Sequence, residues 1–370
     1  MVKVRHIVAI SIFILITQFS SAKAQSSKGV PWTPEKEKNG NSLFVLENSI
    51  GTKVTIAEYG ALLVSIETAD REGNIGNITL SYQTEREARA GGVFGSVIGR
   101  FANRIDGGGF TIDDTFFPLD TVNAKTGVHI HGGKNGFHRQ TWSGLHGVDK
   151  EGAFARLELK SPDGDEGYPG NLRVTVTYRL NEDNALRITY EGTTDAPTHL
   201  NLTNHAYFNL SGKGNIREHL LSLTSEQYLE IDDRNIPTGA RLPVEKTPFD
   251  FTTEKPVGQD IEAIARDGYD HCFVIREHNP DGEITPFAIL TDPASGRTME
   301  IATTKPGVQI YTANGFKGKP FPKWGGICFE TQYYPDTPNQ KKFPPSLLRP
   351  DEKYHHVTEF RFGIEDPPKK

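Results

Sequence analysis

The feature that most constrains the fold is the spacing of glycine and proline, which recur too often for long helices to form. The chain of 370 residues contains 37 glycines and 23 prolines, and they separate short runs in which apolar and polar residues alternate. Alternation with a period of two is typical of strands that bury one face. The pattern therefore predicts an all-β fold.

Two neighbouring runs around Asn181–Asn184 are expected to form a hairpin, because Asn and Asp tolerate the backbone of a tight turn. Only Tyr82–Ala90 and Ile261–Arg266 are candidates for short helices. Strands recur at short spacing without a βαβ rhythm, so we predict one large antiparallel β-sandwich. The clearest predicted strands are Thr52–Glu58, Leu62–Thr68, Ala155–Lys160, Leu172–Leu180 and Ala185–Glu191.

The N-terminus has the pattern of a secretory signal peptide. Lys3 and Arg5 precede the apolar run Ile7–Ile16, and Ala22 and Ala24 supply the small residues that signal peptidase prefers. The alternative is a membrane anchor, but the apolar run is much shorter than the roughly 20 residues that cross a bilayer. We predict a signal peptide over residues 1–24, cleaved after Ala24, with export to the periplasm; the extracellular medium is the alternative destination. Residues 25–40 are a predicted linker, and residues 41–368 a single domain.

The net charge limits the classes of binding partner, and the two cysteines allow two chemical states. The chain carries 41 basic and 47 acidic side chains, for a formal net charge of −6, so it has no basic excess for a nucleic-acid backbone. We therefore expect no nucleic-acid partner, and no membrane partner once the signal peptide is removed. Either a monomer or a homodimer fits the sequence. Cys272 and Cys328 lie in apolar runs, where either two buried thiols or a disulfide is possible.

Several common catalytic motifs are absent from the sequence. It contains no G-x-S-x-G, H-E-x-x-H, Walker or G-x-G-x-x-G pattern. This argues against serine hydrolases, zinc peptidases, nucleotide hydrolases and dinucleotide-binding enzymes. Instead, polar residues interrupt apolar or glycine-rich runs in five segments, where burial requires a partner for each polar group.

The first two segments are GRFANRI (residues 99–105) and HIHGGKNGFHRQTW (residues 129–142). Asn103 and Arg104 interrupt the first, where a structural ion pair is the alternative to a binding role. His129 and His131 are expected on the same face of a strand. They could bind a metal, but no third ligand follows at a recognisable spacing, so hydrogen-bonding or core histidines are favoured. The glycines after His131 suit a close backbone approach at a pocket edge.

The other three segments are NLTNHAYFNLSG (201–212), GYDHCFV (268–274) and GICFETQYYPD (326–336). His205 in the first can exchange a proton near neutral pH, although a core histidine would look the same. Asp270 opens an apolar strand, where a turn-capping role is the alternative. Glu330 lies in the middle of an apolar strand, where an ionised carboxylate is costly unless it is paired or functional.

Together these segments resemble the aldose 1-epimerase (galactose mutarotase) family, in order and in detail. The resemblance extends through IPTG (236–239), FDF (249–251), GVQIYTAN (307–314) and ETQYYPDTPNQKKFPPSLLRP (330–350), and so covers nearly all of the chain after the signal peptide. It implies a β-supersandwich and the interconversion of the α and β anomers of free aldohexoses such as glucose and galactose. It also implies that no cofactor and no metal are used, and that the partner is a small sugar.

The resemblance also assigns roles to residues at matching positions. It implies that His205 is the general acid that protonates the ring oxygen, and that Glu330 is the general base at the anomeric hydroxyl. Sugar-binding residues are then Asn103, Arg104, His131 and Asp270, with Gln309 as a neighbouring candidate. The loop at His138-Arg139 departs from many relatives, which carry an acidic and then a basic residue there.

These residue types suit the reaction on physical grounds. Opening a hemiacetal removes a proton from O1 and adds one to O5, so an acid and a base must flank the same ring. When the ring recloses on the other face of the aldehyde, the two groups exchange roles. Donors and acceptors suit a ligand covered in hydroxyls, and Phe208 or Tyr269 is expected to cover an apolar sugar face.

Other functions remain possible from the sequence. A glycoside hydrolase or lyase would use a pair of carboxylates, and Asp270 with Glu330 supplies one. A non-catalytic sugar-binding protein is a second alternative. A phosphosugar epimerase is a third, but it would need a cluster of Arg or Lys for the phosphate, and the sequence does not identify one.

Overall fold

Antiparallel strands form nearly all of the regular structure, as the alternating pattern predicts. The computed structural model describes residues 43–275 and 282–365. The signal peptide predicted for residues 1–24 and the linker predicted for residues 25–40 lie outside these described residues. Among the helices within them, none combines the length and the apolar character needed to cross a membrane.

The strands are short, and most are bounded by turns. In chain order they are Leu43–Glu47 (β1), Lys53–Ala57 (β2), Leu62–Ala69 (β3), Ile75–Asn77 (β4), Thr79–Leu80 (β5), Val97–Ile98 (β6), Arg104–Ile105 (β7), Gly109–Ile112 (β8), Thr115–Pro118 (β9), His129–Ile130 (β10), Ser143–Asp149 (β11), Gly152–Ser161 (β12), Leu172–Leu180 (β13), Ala185–Thr194 (β14), Thr198–His199 (β15), Thr203–Asn204 (β16), Tyr207–Phe208 (β17), Leu220–Leu223 (β18), Gln227–Ile231 (β19), Pro237–Pro243 (β20), Lys255–Pro256 (β21), Asp270–Val274 (β22), Thr285–Thr291 (β23), Arg297–Thr303 (β24), Gly307–Tyr311 (β25), Ile327–Gln332 (β26), Leu347–Leu348 (β27) and Tyr354–Ile364 (β28).

Helices are few in the described part of the chain. The α-helix Glu85–Ala90 (α1) is preceded by the N-cap residue Thr84, whose hydroxyl accepts a hydrogen bond from the backbone N–H of Glu87. Short 3-10 helices occur at Phe137–Arg139, Asp165–Gly167, Ile261–Ala263 and Thr337–Asn339. Both predicted helical segments therefore contain helix, but Tyr82–Ala90 is helical only from Glu85, and Ile261–Arg266 forms a single 3-10 turn.

Two large sheets make up the sandwich. The nine-stranded sheet has the order β11-β12-β13-β14-β28-β24-β23-β18-β21, so the last strand, β28, lies between β14 and β24. The seven-stranded sheet has the order β20-β19-β22-β25-β26-β17-β5. A four-stranded sheet, β1-β2-β3-β4, and four two-stranded sheets complete the fold. The predicted hairpin is present as β13 and β14, with Leu180 opposite Leu186.

The main core lies between the two large sheets. Phe208 and Phe329 belong to the seven-stranded sheet and Phe360 to the nine-stranded sheet, and all three are buried in one apolar cluster. The rings of Phe208 and Phe360 are 5.0 Å apart between centroids. The prediction of a large all-β sandwich is confirmed.

The seven-stranded sheet has a second face, which points away from this core. Phe273, Ile310 and Phe329 on β22, β25 and β26 point into the core. Side chains alternate along a strand, so residues an odd number of positions away point to the opposite face. Asp270, Gln309 and Glu330 lie on that outer face, and this alternation places three of the predicted site residues side by side.

Candidate active site

A pocket with a volume of about 250 Å³ lies over the outer face of the seven-stranded sheet. Each of the five polar segments found in the sequence contributes to its lining. Six of the seven predicted site residues line the pocket. The seventh, Gln309, does not line it but donates a hydrogen bond to Asp270, which does. The lining residues are Val93, Asn103, Arg104, His131, His205, Tyr207, Asp270, Tyr311 and Glu330.

Strand register builds the floor of the pocket. Gln309 on β25 lies directly opposite Glu330 on β26, and Tyr311 lies opposite both Asp270 on β22 and Cys328 on β26. Directly opposed residues in antiparallel strands share a face. These five side chains therefore form one surface across three neighbouring strands, and their relative positions follow from the sheet.

His205 enters the pocket from the segment that follows β16. Its backbone N–H donates to the carbonyl of Ser96 at 3.0 Å, and its own carbonyl accepts from Gly95 at 2.9 Å. Tyr207 stacks on the imidazole with ring centroids 5.1 Å apart. These contacts place the His205 Nε2 atom 3.5 Å from Oε1 of Glu330, with both side chains buried.

Two loops form the opposite wall. Asn103 has a φ of 66°, a conformation that asparagine tolerates better than most residues, and its carbonyl accepts from the backbone N–H of His131 at 2.9 Å. A Cβ on Gly132 would lie 1.8 Å from the carbonyl oxygen of Gly99, so only glycine allows the two loops this close. The predicted close approach after His131 is therefore present.

Asp270 is held by three partners at the pocket edge. Its Oδ1 accepts from Nε2 of Gln309 at 2.7 Å, and its Oδ2 accepts from Nδ2 of Asn235 at 2.7 Å. The Arg104 guanidinium lies 3.5 Å from the same Oδ2 and donates to Oδ1 of Asn103 at 3.1 Å. Both carboxylate oxygens are therefore engaged, which suits a binding residue better than a proton donor or a nucleophile.

Burial shifts the acid–base properties of the central pair in opposite directions. Burial raises the pKa of Glu330 to about 8, as does the nearby charge of Asp270, while Arg104 opposes the shift. Burial lowers the pKa of His205 to about 4, although Asp270 opposes that shift. Desolvation disfavours the charged form of each group. Near neutral pH the free pocket therefore holds one proton on this pair.

Two buried acceptors in this region have no hydrogen-bond partner within the described residues. They are Oε2 of Glu330 and Oε1 of Gln309. An unpaired buried acceptor costs roughly 1–3 kcal/mol, so a ligand that donates to Oε2 of Glu330, which lines the pocket, gains affinity. Hydroxyl groups are such donors, and the adjacent Arg104 and His131 can serve the oxygens of the same ligand.

The pocket contains three groups of the kind that bind metals. Ligand atoms of His131, His205 and Glu330 lie within 4.8 Å of one another. However, Nδ1 of His131 faces the backbone N–H of Asn103 at 3.2 Å and accepts its hydrogen bond. The neutral ring therefore carries its proton on Nε2, where a metal would need a lone pair. The set does not fit a metal site, and His131 is instead a donor towards the pocket.

One sequence expectation about the histidines is wrong. His129 and His131 do not share the face of a strand, because β10 ends at Ile130 and His131 has a φ of 52°. His129 is fully buried beside Tyr168, and its Nδ1 lies 2.7 Å from the carbonyl of Thr121. It is a core histidine with no place in the pocket.

The aromatic residues that line the pocket are not the two that the sequence analysis expected. Phe208 and Tyr269 are buried in the main core and do not line the pocket. Their neighbours on the other face, Tyr207 and Asp270, line it, and Tyr311 supplies a second aromatic ring. The sequence analysis missed Tyr207 and Tyr311, although Tyr311 lies two positions from Gln309 and therefore on the same strand face.

The two cysteines are free and buried. Cys272 on β22 and Cys328 on β26 are separated by β25, which corresponds to two strand spacings, or about 9–10 Å. A disulfide needs Cα atoms within about 7 Å. Of the two alternatives that the sequence left open, the buried thiols are correct.

A larger depression of about 560 Å³ lies where β12 and β14 end and β13 begins, in the nine-stranded sheet. Its polar side chains are mostly exposed, and two of them, Asn171 and Asp195, hydrogen-bond to each other at 2.8 Å. It has no buried titratable group among its described lining residues. The smaller pocket is therefore the candidate active site.

Known proteins share both the sequence and the architecture. A sequence model of the aldose 1-epimerase family matches residues 42–361. Galactose mutarotase of Rattus norvegicus is 39% identical over 324 residues, which cover 84% of this chain and 91% of that protein. The crystal structure of an aldose epimerase homologue from C. elegans has a TM-score of 0.79 at 27% identity and covers 88% of this chain and 100% of its own.

A second crystal structure, of galactose 1-epimerase from Lactobacillus acidophilus NCFM, has a TM-score of 0.78 at 28% identity. It covers 90% of this chain and 97% of its own length. The fold and the family match thus extend over nearly the whole described region. This chain belongs to the aldose 1-epimerase family.

Proposed function

We propose that this protein is an aldose 1-epimerase that interconverts the α and β anomers of free aldohexoses, glucose and galactose among them. The observation that carries the proposal is the 3.5 Å separation of Nε2 of His205 and Oε1 of Glu330 at the floor of a small polar pocket. The two oxygens that exchange protons, O1 and O5, are bonded to the same carbon. An acid and a base that act on them must therefore lie close together.

The reaction needs one proton on the pair. With the proton on His205, the imidazolium protonates O5 while the Glu330 carboxylate removes the proton from O1, and the ring opens to the aldehyde. With the proton on Glu330, the carboxyl group returns it to O1 while neutral His205 removes the proton from O5, and the ring closes. Rotation about C1–C2 between the two steps exposes the other face of the aldehyde. Every turnover thus returns the pair to its starting state.

The surrounding residues orient the sugar. Arg104, Asp270 and His131 place donors and acceptors around the pair, and the rings of Tyr207 and Tyr311 supply apolar surface. Asp270 is already bonded by Asn235 and Gln309, so its carboxylate is fixed for accepting from hydroxyls. The cavity is smaller than the roughly 300–1,000 Å³ of drug-sized ligand sites, which suits a single sugar ring.

Two alternatives are less well supported. A glycosidase places its two carboxyl groups about 5–9.5 Å apart on either side of the scissile bond, and each must reach the reacting atoms with an oxygen. In this pocket the close partner of Glu330 is a histidine, and both oxygens of Asp270 already accept hydrogen bonds from protein side chains. A phosphosugar enzyme would need free cations, whereas the one cation among the described lining residues, Arg104, is paired with Asp270.

Polarimetry tests the proposal directly. Freshly dissolved α-glucose, α-galactose, xylose and arabinose are each followed to equilibrium with and without the protein. We expect the protein to accelerate the approach to the same final rotation and to rank the four sugars. Rates no faster than spontaneous mutarotation for all four would exclude the activity.

We expect kcat/KM to depend on pH as a bell. Below about pH 4 both His205 and Glu330 are protonated and no base remains, and above about pH 8 both have lost their protons and no acid remains. Initial rates measured by polarimetry across this range, after subtraction of the spontaneous rate at each pH, report both limbs. A rate that rises or falls in one direction only would contradict the one-proton pair.

Chelation is expected to leave the rate unchanged. Because the His131 tautomer is set by Asn103, the three possible ligands do not form a metal site. The protein is dialysed against EDTA and assayed beside a sample dialysed against buffer. A loss of rate in EDTA that zinc restores would overturn this reading.

Export is a separate part of the proposal. The basic and apolar pattern of residues 1–24 supports cleavage after Ala24 and a periplasmic enzyme. Expression of the full chain in a bacterium, followed by fractionation and intact mass measurement, is expected to give a periplasmic product that begins at Gln25. A cytoplasmic product of full mass would contradict it.

A further inference from the structure

A buried cysteine touches the proposed acid of the reaction. Cys328 lies two positions before Glu330 on β26 and therefore on the same face of the strand. Its Sγ is 3.5 Å from Nδ1 of His205, and the cysteine is fully buried. The imidazole is thus held at one nitrogen by sulfur and faces Glu330 with the other.

The proposed function decides which of the two nitrogens must exchange a proton. Nε2 of His205 faces Glu330, so Nε2 gains and loses the proton. A neutral imidazole can accept at Nε2 only if its proton is on Nδ1. Nδ1 must therefore stay protonated in both states of the ring, and it needs an acceptor in a buried place.

The sulfur of Cys328 is suited to accept this hydrogen bond. Burial raises the pKa of its thiol well above the ordinary value, as does the nearby Glu330, so the thiol stays uncharged. A thiol sulfur is a weak acceptor. The other acceptor that favours a protonated ring is the carbonyl of His205 itself, which already accepts from Gly95.

We propose that Cys328 is a positioning residue whose sulfur accepts the Nδ1–H of His205 and thereby keeps Nε2 turned towards Glu330. This inference rests on the proposed function and adds a residue to it. The weakness of the acceptor has a chemical role. A carboxylate at this position would stabilise the imidazolium and make it a poorer acid, whereas sulfur orients the ring and leaves its proton easy to release.

The charges around His205 come from several elements. Asp270 favours the protonated ring and His138 disfavours it. The other titratable or charged groups near it are Glu330, Cys328, Tyr207, His131 and Arg104. A substitution at Cys328 removes only the thiol from this set and leaves the other groups in place. Because the thiol also contacts the Tyr207 side chain, the pH profile is interpreted together with the protonation of Nδ1 itself.

The experiment compares three variants of the full-length protein. Cys328→Ala removes the acceptor, and Cys328→Ser replaces it with a stronger one. Cys272→Ser is the matched control, because Cys272 is also buried on the outer face of the same sheet, but its sulfur faces the carbonyl of Phe273 and the cluster around Tyr334.

We expect Cys328→Ala to lower kcat by about ten- to a hundredfold with little change in KM, since a misaligned acid or base is lost mainly from the transition state. Cys328→Ser is expected to retain more of the rate and to move the acid limb of the pH profile to higher pH, because its oxygen stabilises the imidazolium. Cys272→Ser should match the parent protein in both respects.

Nitrogen-15 NMR of histidine-labelled protein tests the contact without an activity measurement. The His205 signals are identified by their loss in His205→Asn. We expect a neutral ring with its proton on Nδ1 in the parent protein. A proton on Nε2 of His205, or a Cys328→Ala variant with the rate and pH profile of Cys272→Ser, would overturn the proposal.

The two proposals fail in different ways. If the parent protein has no mutarotase activity, the proposed function fails whatever Cys328 does. If the parent and Cys272→Ser are active and Cys328→Ala is equally active, only the role of Cys328 fails. Should Cys328→Ala not fold, the Cys328→Ser profile and the NMR spectrum of the parent protein still decide the question.

Discussion

Replacing Glu330 by Gln is expected to lower kcat about a thousandfold or more, within the range that a positioned general base contributes. The amide keeps the size and shape of the carboxyl group but cannot accept the proton from O1. Polarimetry on α-glucose, with folding checked by circular dichroism, measures the effect. Glu359→Gln is the matched control, because Glu359 is a buried glutamate on β28 that pairs with Arg187 and Arg361 away from the pocket.

The same substitution has a signature in stability. Because the pKa of Glu330 is raised from 4.5 to about 8 in the folded protein, the unfolded chain releases this proton first as the pH rises. Stability from this group is therefore present below about pH 4.5 and lost progressively towards pH 8. Glu330→Gln cannot titrate, so its melting temperature should gain on the parent between pH 5 and pH 8. A folded variant with most of the parent rate would remove Glu330 from the role of base.

Replacing His205 by Asn is expected to lower kcat at every pH, by about a hundredfold or more, while KM changes little. The proton donor acts in the transition state, and asparagine cannot supply an acidic proton to O5. His199→Asn is the matched control: His199 is also buried, and burial lowers its pKa to about 4, but it hydrogen-bonds Ser346 outside the pocket.

Arg104→Ala is expected to differ from His205→Asn by acting mainly on KM. Arg104 touches Asn103 and Asp270 rather than the proton-transfer pair, so its loss weakens sugar binding in ground and transition states alike. A moderate fall in kcat is also expected, because its charge stabilises negative charge that develops on the sugar. The prediction for His205→Asn has its own contradicting outcome: a variant with near-normal kcat and a raised KM would make His205 a binding residue and not the acid.

Strand positions could be predicted from sequence because alternation and turn residues are local signals. The hairpin of β13 and β14 and the strand that opens at Asp270 are present as predicted. The convergence of the five polar segments came from the family resemblance, since alternation alone does not tell which strands become neighbours. The predicted aromatic residue Phe208 lies one position from Tyr207, which faces the pocket, because neighbouring side chains on a strand point to opposite faces. Which of the two faces carries the site depends on the packing of the whole sheet, which alternation does not reveal.

Other features depend on tertiary contacts that local patterns do not contain. The end of β10 at Ile130 and the positive φ of His131 place that side chain in the pocket and leave His129 in the core. The tautomer of His131 is set by the backbone N–H of Asn103, which is distant in sequence. The contact between Cys328 and His205 arises in the same way, although strand parity with Glu330 would have marked Cys328 as a neighbour of the site.

The place of β28 in the nine-stranded sheet has a consequence for the order of folding. This strand, Tyr354–Ile364, pairs with β14 on one side and β24 on the other, so the sheet remains two separate pieces until these residues are available. A chain emerging from a ribosome cannot complete this sheet before then. Pairing across such long sequence separations is also slow. The larger sheet is thus completed only after residues 354–364 have been synthesised.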